Sequence, residues 1–180
     1  MAKEFLINKW RLWFRVLDVK GTGQFSREDE AQDEERYAHL SRLNPEQKAE
    51  VVEALRRLTD EYYFRGKQGP ISEQDFVDMN NEDFKADKGK FEERMKKCFE
   101  TEYKIFDTNG DGMITKDAFQ KAYLGCGHDN LERINKFFQS YNPVDDKVPV
   151  KTIADSWVLF TTNEDSSVKD VVREALEVGL

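Results

Sequence analysis

The sequence predicts an all-α protein assembled from four copies of one helix–loop–helix unit. Apolar residues recur at spacings of three and four almost everywhere, which is the period of a helix buried on one face. A short phrase separates successive helical stretches: glycine, any residue, a hydrophobe, then Ser or Thr. The alternation typical of half-buried strands is nearly absent. A repeated supersecondary unit explains these three observations together.

Four amphipathic stripes define the main helices. Their apolar positions are Leu6, Trp10, Trp13, Phe14 and Leu17; Val51, Leu55, Leu58 and Tyr62; Phe91, Met95, Cys98, Phe99 and Phe106; and Leu131, Ile134, Phe137 and Phe138. Asn44 before Pro45 is typical of an N-cap followed by proline in the first turn. A last short helix is predicted between Val168 and Leu176. We expect eight main helices around the four loops, with only two-residue β contacts between paired loops.

The inward positions of these helices predict the core. We expect the following residues to be buried: Trp10, Phe14, Leu17, Phe99, Tyr103, Phe106, Phe119, Phe137 and Trp157. The recurring phrase lies between the helices, at residues 23–26, 69–72 and 112–115, with a damaged copy at 146–149. Ser26 and Ser72 are each followed three residues later by Asp, which predicts a capping box at the start of the next helix.

The third loop, residues 107–118, carries a recognisable chemistry. It reads DTNGDGMITKDA and resembles the EF-hand calcium loop. Calcium takes six to eight oxygen ligands, which this spacing offers from one short turn. The candidate ligands are Asp107, Asn109, Asp111, the carbonyl of Met113, and Thr115, which would act directly or through water. Gly112 would allow the sharp turn, and Ile114 would pair with the corresponding hydrophobe of a neighbouring loop.

This loop departs from the pattern at its last position, where EF-hands carry a bidentate glutamate. Here position twelve is Ala118, and Asp117 precedes it out of register. We therefore expect weakened calcium binding, with magnesium in competition.

The first loop, residues 18–29, is more degraded. Asp18, Thr22, the carbonyl of Gln24, and Asp29 are its candidate ligands, at lower rank than those of the third loop. Lys20 stands at position three, where its ammonium would repel a divalent ion.

The second and fourth loops are predicted not to bind metal. The second, residues 64–75, has Phe64, Gly66 and Gln68 where carboxylates belong. The fourth, residues 141–152, has Tyr141, Pro143 and Thr152 at positions one, three and twelve. The predicted organisation is an N-terminal EF-hand pair over residues 1–85 and a C-terminal pair with a tail helix over 86–180, packed into one compact globule.

The chain as a whole resembles the invertebrate sarcoplasmic calcium-binding proteins. The features that match are the opening helix with Trp10, Trp13 and Phe14, the four loops and their spacing, and the tail after Trp157. The resemblance implies a buffer of Ca²⁺ and Mg²⁺ in muscle cytosol, either a monomer or a homodimer. Some members of that family are shellfish allergens.

Composition and the absence of further motifs exclude several classes of function. The net charge is −8, which argues against a nucleic-acid partner. The longest apolar runs have three or four residues, too short for a transmembrane helix. The N-terminus does not read as a secretory signal, and two isolated cysteines favour reduced thiols in the cytosol. No nucleophile setting is recognisable, so we do not expect an enzyme.

Two non-enzymatic functions remain open. The first is an ion buffer with few, weakened sites. The alternative is an EF-hand scaffold that has largely lost ion binding and serves as an interaction protein or as a carrier of an apolar ligand in its aromatic core. A calcium sensor is a weaker third choice, because sensors open onto Met-rich grooves and this chain has four methionines.

Overall fold

The computed structural model describes all residues from Met1 to Leu180 and confirms an almost wholly helical fold. The elements in chain order are α1 (Glu4–Leu17), β1 (Gln24–Phe25), α2 (Arg27–Leu40), α3 (Pro45–Thr59), a π-helix (Asp60–Phe64), β2 (Ile71–Ser72), α4 (Glu73–Ala86), α5 (Lys88–Phe106), β3 (Met113–Thr115), α6 (Lys116–Gly125), α7 (Leu131–Gln139), β4 (Lys147–Pro149), α8 (Val150–Thr162) and α9 (Val171–Val178). Eight α-helices flank the four loops, and α9 follows as a tail. None of the helices combines the length and apolar character needed to cross a lipid bilayer.

Side-chain caps fix where several helices begin. Ser26 and Ser72 form the predicted capping boxes with Asp29 and Asp75. Asn44 forms a third capping box, directly before the proline that opens α3. Each box satisfies two backbone N–H groups that would otherwise lack partners at a helix start. The local sequence therefore sets the boundary between a loop and the helix that leaves it.

Two short antiparallel ladders join the loops in pairs. Phe25 of the first loop lies opposite Ile71 of the second. Ile114 of the third loop lies opposite Val148 of the fourth, as the repeat predicted. All four of these residues, each at position eight of its loop, are fully buried. The β3–β4 ladder has three residues in each strand, so the expected two-residue contact was wrong for this pair. A third paired position, Thr115 opposite Lys147, extends it, and the Lys116 N–H donates to the Asp146 carbonyl beyond it at 3.0 Å.

The helices enclose one continuous hydrophobic core of 36 buried residues. Helix α1 packs against α4 and α5 packs against α8 within the two halves of the chain, whereas α2 against α6, α3 against α5 and α1 against α9 pack across them. Eight of the nine predicted core residues are buried. Leu17 was wrongly predicted: it is only half-buried, because it ends α1 and lines two partly open cavities.

Candidate metal centre

The third loop has the sharply turned backbone that its glycines predict. It begins at the end of α5, where the Asp107 N–H still donates to the Tyr103 carbonyl at 3.0 Å. Gly110 and Gly112 adopt positive φ angles of 65° and 77°, a region that residues with a Cβ rarely enter. The loop then runs through β3 into the first turn of α6, where its last three positions lie.

Asp107 combines one anchored and one unpaired oxygen. Its Oδ2 accepts a 2.7 Å hydrogen bond from the Gly112 N–H, which ties position one of the loop to position six. Its Oδ1 is buried and has no hydrogen-bond partner. A buried carboxylate oxygen without a donor is unfavourable unless something positive satisfies it. This oxygen therefore fits the demand of a bound cation.

The other predicted ligands of the third loop serve partly as structural acceptors. Asp111 Oδ1 accepts from the Met113 N–H at 3.0 Å, and Thr115 Oγ1 accepts from the Ala118 N–H at 3.1 Å as the N-cap of α6. Asn109 is exposed. The set offers oxygen atoms only, the donor type that calcium and magnesium prefer. The residues present therefore fit a hard divalent cation, although with few charges.

Position twelve contributes no ligand. Ala118 is half-buried and packs against the core. The preceding Asp117 side chain is 71% exposed and pairs with Lys121 at 2.7 Å, one turn further along α6. Asp117 is therefore held on the outer face of the helix and does not substitute for the missing glutamate.

In the first loop, the predicted ligand atoms already have hydrogen-bond partners within the loop. Asp18 Oδ1 accepts from the Thr22 N–H at 3.0 Å, and its Oδ2 accepts from the Gly23 N–H at 2.8 Å. The Thr22 hydroxyl lies 3.2 Å from Asp18 Oδ1 and 3.1 Å from the Gln24 carbonyl oxygen. The carboxylate, the hydroxyl and the carbonyl proposed for a metal ion thus bond to one another.

Asp29, at the end of the first loop, is engaged as well. Its Oδ2 accepts from the N–H and hydroxyl of Ser26, while its Oδ1 accepts from the Lys20 ammonium at 2.8 Å. Burial raises the pKa of Asp29, but the hydrogen bonds from Lys20 and Ser26 outweigh this effect and leave the pKa below its usual value. The hydrogen bond to Asp29 raises the pKa of Lys20, so both groups stay charged.

In the second loop, the residue at position one belongs to the hydrophobic core. Phe64 is fully buried, stacks on Phe25 with ring centroids 5.3 Å apart, and ends the π-helix. The Arg27 guanidinium lies 3.9 Å from the centre of the Phe64 ring and donates to the Lys67 carbonyl at 3.0 Å. The second loop thus holds an aromatic ring and the positive charge of Arg27 where a metal ion would need carboxylates.

The fourth loop pairs with the third through the β3–β4 ladder, but its turn differs from that of the third loop. Asp145 and Asp146 both adopt positive φ, 51° and 56°, between the bridged residues Val144 and Lys147. This arrangement is the two-residue hairpin that favours Asp and Asn. The hydroxyl of Tyr141, at position one, pairs with Ser156 Oγ at 2.7 Å. The first position therefore points to α8 and not into a ring of ligands.

Acidic residues do not gather elsewhere in the chain to form a metal site. No group of three or more His, Cys, Asp or Glu side chains is close enough to hold an ion. The third loop remains the best candidate because its ligands include an amide and a backbone carbonyl beside two carboxylates.

Sequence reasoning missed a half-buried carboxylic acid. Glu102, on α5, lines two adjoining cavities of about 70 and 50 Å³ beneath the first loop. Burial raises its pKa to about 7. Trp157, whose Nε1 is buried without a hydrogen-bond partner, lines the smaller cavity. The only sequence signal was that Glu102 lies one helical turn from the buried Phe99 and Phe106, on the inward side of α5.

Comparison with known proteins defines the class. The chain matches no protein-family model. It is 32% identical over 175 residues to the sarcoplasmic calcium-binding protein of Mizuhopecten yessoensis, covering 97% of this chain and 99% of that protein. Among solved structures it is similar to the calcium-loaded apo form of the coelenterazine-binding protein of Renilla muelleri, with a TM-score of 0.75, 18% identity, and 97% of each chain covered. The photoprotein clytin gives a TM-score of 0.67 at 19% identity, covering 94% of this chain and 93% of that one.

The helix–loop–helix repeat, the paired loops and the structural neighbours define an EF-hand protein. The similarity to the Mizuhopecten yessoensis protein extends over nearly the whole length of both chains. The chain belongs to the family of sarcoplasmic calcium-binding proteins.

Proposed function

We propose that this chain is a calcium-binding protein whose principal ion site is the third loop, and that it buffers Ca²⁺, with Mg²⁺ in competition, in the cytoplasm of invertebrate muscle. Asp107, Asn109, Asp111, the carbonyl of Met113, and Thr115 would hold the ion. The first loop ranks below it as a candidate because the Lys20 ammonium occupies position three and bonds Asp29, and the second and fourth loops take no ion. The proposal includes the division into an N-terminal pair (1–85) and a C-terminal pair (86–180).

One observation carries the choice of the third loop. Asp107 Oδ1 is a buried acceptor without a donor, in a carboxylate whose other oxygen is fixed by Gly112. A bound cation would satisfy that oxygen and offset the repulsion between Asp107 and Asp111. Membership of the family and the calcium-loaded form of a structural neighbour support the identity of the ion as calcium.

A buffer suits this core better than a sensor does. Sensors expose a flexible, Met-rich groove when they bind calcium. Here large aromatic side chains fill the interior, and the Trp13 ring packs edge-on against Phe76 at 4.8 Å. Trp10 is fully buried, with its Nε1 donating to the Thr161 carbonyl at 2.9 Å. Opening such a core would break many tight contacts, so we expect ion binding without a large exposed groove.

Isothermal titration of the metal-stripped protein with calcium tests the assignment. We expect binding in the wild type, and Asp107→Asn should weaken it about tenfold or more, because the variant removes a ligand charge while keeping an acceptor for Gly112. Asp117→Asn is the matched control and should leave the affinity unchanged. The third-loop site would be contradicted if the wild type gave no heat of calcium binding, or if both variants lost calcium affinity equally.

The alternative function is a carrier of an apolar ligand. Its support is the pair of cavities next to Glu102 and the unpaired Nε1 of Trp157, which together could orient a ligand. Their volumes, about 70 and 50 Å³, suit a few water-sized groups, whereas drug-sized ligands occupy about 300 Å³ or more. A carrier would have to expand its core, so the ion buffer is the better-supported function.

A further inference from the structure

The first and third loops share one backbone shape. Asp18 and Asp107 each end a helix, and each accepts the N–H of the glycine at position six, at 2.8 and 2.7 Å. Those glycines, Gly23 and Gly112, have φ angles of 81° and 77°. In both loops the position-four glycine N–H also donates to the position-one carbonyl, at 3.0 and 3.1 Å. The first loop therefore has the form of an ion loop despite its altered ligands.

The two loops differ in how their carboxylates are satisfied. The free oxygen of Asp107 has no donor, whereas both oxygens of Asp18 accept hydrogen bonds. At position twelve the third loop has no carboxylate, while the first loop has Asp29, whose Oδ1 receives an ammonium. The positive charge that an EF-hand takes from a metal ion is thus already supplied to the first loop by its own chain.

Lys20 delivers that charge from position three. Its Nζ lies 2.8 Å from Asp29 Oδ1 and 2.7 Å from Gln32 Oε1, so it links the loop to the first two turns of α2. A calcium ion in this loop would have to displace the ammonium from Asp29 and then tolerate a like charge nearby. It would also have to break the bond between the Thr22 hydroxyl and the Gln24 carbonyl.

We propose that the Lys20 ammonium is a built-in substitute for the calcium ion of the first loop: it neutralises Asp29, holds the loop in its ion-loop shape without metal, and excludes calcium from it. The donors of the first loop do not fit a divalent cation while Lys20 is present. Lys20 thereby limits ion uptake to the third loop, and the N-terminal ladder stays formed whether or not calcium is bound.

Residue-specific NMR tests the exclusion. The backbone amides of Gly23 and Gly112 report the first and third loops separately during a titration with calcium chloride at fixed ionic strength. In the wild type we expect only the Gly112 signal to respond. In Lys20→Asn, which places an amide oxygen at position three as in the third loop, the Gly23 signal should respond as well, at calcium concentrations at least about tenfold below any that move it in the wild type.

Two results would overturn the exclusion: a wild-type Gly23 response matching that of the variant, or no Gly23 response in the variant. A silent Gly112 would instead contradict the third-loop function, so the two proposals fail separately.

Hydrogen exchange tests the structural part. In calcium-free buffer, Lys20→Met keeps the aliphatic stem and removes the charge. We expect the amides of the β1–β2 ladder to exchange about threefold faster or more in this variant, because the acidic ends of the loop lose their counter-charge. Lys104→Met, an exposed lysine on α5 without an ion pair, is the matched control and should not change the exchange rates. Unchanged protection in Lys20→Met would show that the ammonium does not hold the loop.

Discussion

Nζ of Lys9 in the first helix donates a 3.1 Å hydrogen bond to Oδ2 of Asp170, the residue that caps the last helix. The two side chains are 1% and 2% exposed, so the ion pair is sealed inside the protein. Asp170 Oδ1 accepts from the Arg173 N–H at 2.9 Å, which leaves neither oxygen unpaired. Burial lowers the pKa of Lys9. The Asp170 carboxylate favours the charged ammonium and offsets part of this effect. This pair fastens α9 to α1.

The first prediction is that breaking this pair destabilises the protein strongly. Asp170→Asn keeps an acceptor for the cap but leaves the Lys9 ammonium buried without a counter-charge. We expect the free energy of unfolding to fall by about 3–5 kcal/mol, measured by urea denaturation. The double variant Lys9→Met with Asp170→Asn should recover most of the loss, since no isolated charge then remains.

The matched control for this pair is Glu4→Gln, which breaks the exposed pair of Glu4 with Arg11 on the same helix. It should change the free energy of unfolding by less than about 1 kcal/mol. If Asp170→Asn were as mild as this control, the Lys9–Asp170 pair would not be the fastening of α9.

The second prediction concerns the half-buried carboxyl of Glu102. Its folded-state pKa is about 7, raised from 4.5 by burial. Between these values the folded protein binds more protons than the unfolded chain, so this group makes stability fall as the pH rises from about 4.5 to about 7. Glu102→Gln cannot ionise and should avoid that loss. We expect the variant to gain about 1–3 kcal/mol over the wild type at pH 8, relative to their difference at pH 4.5.

Urea denaturation across this pH range measures the effect of Glu102. Glu93→Gln, on the exposed face of the same helix, is the control and should give a nearly pH-independent difference from the wild type. A flat difference for Glu102→Gln as well would mean that its carboxyl is solvated and ionises normally.

The third prediction concerns a close approach of two helices at Gly125. A Cβ added there would lie 2.9 Å from the Cβ of Tyr37 and 3.3 Å from its Cα. Gly125→Ala should therefore lower the free energy of unfolding by about 1–3 kcal/mol, despite the better helix propensity of alanine. Gly89→Ala, near the start of α5, meets only Asp87 Oδ1 at 3.4 Å. It should be neutral or stabilising, by up to about 1 kcal/mol. A stable Gly125→Ala protein would mean that α2 and α6 can separate freely.

Features that depend on patterns repeated within the chain could be predicted from the sequence. The helical period gave the fold class, and the hydrophobe at position eight predicted the pairing of Ile114 with Val148. Ser26 and Ser72 predicted capping boxes because a cap involves residues only three apart. Each of these features depends on local spacing, which a single sequence records directly.

Contacts between distant residues were not readable. Lys9 and Asp170 are separated by 161 positions, and nothing local marks either as buried. The sequence placed Lys20 in a ligand position and predicted repulsion, but the hydrogen bonds of its ammonium to Asp29 and Gln32 depend on a side-chain rotamer. Phe64 was recognised as a poor ligand, but neither its stacking on Phe25 nor the π-helical turn that it ends was predicted. That turn has no simple sequence signature.

The last prediction is that Ala118 limits the calcium affinity of the third loop. Position twelve normally supplies two oxygens and one negative charge. Here the residue is alanine, and Asp117 is turned outward to Lys121. Asp107 and Asp111 are then the only carboxylates in register, so we expect wild-type affinity at the weak end of the EF-hand range, about 10⁻⁵ to 10⁻³ M. Magnesium should compete well, because it retains waters and needs fewer protein ligands.

Ala118→Glu should tighten calcium binding by about two decades or more, equivalent to about 3 kcal/mol. It should leave the calcium-free far-UV spectrum nearly unchanged and raise the melting temperature when calcium is present, because ligand that binds only the folded state stabilises it. Ala118→Gln is the matched control: it has nearly the same size without the charge, so a gain confined to the glutamate variant identifies the carboxylate as the missing ligand. Calorimetry on the three proteins decides the question. Sub-micromolar binding in the wild type, with no gain in Ala118→Glu, would mean that another group already fills position twelve.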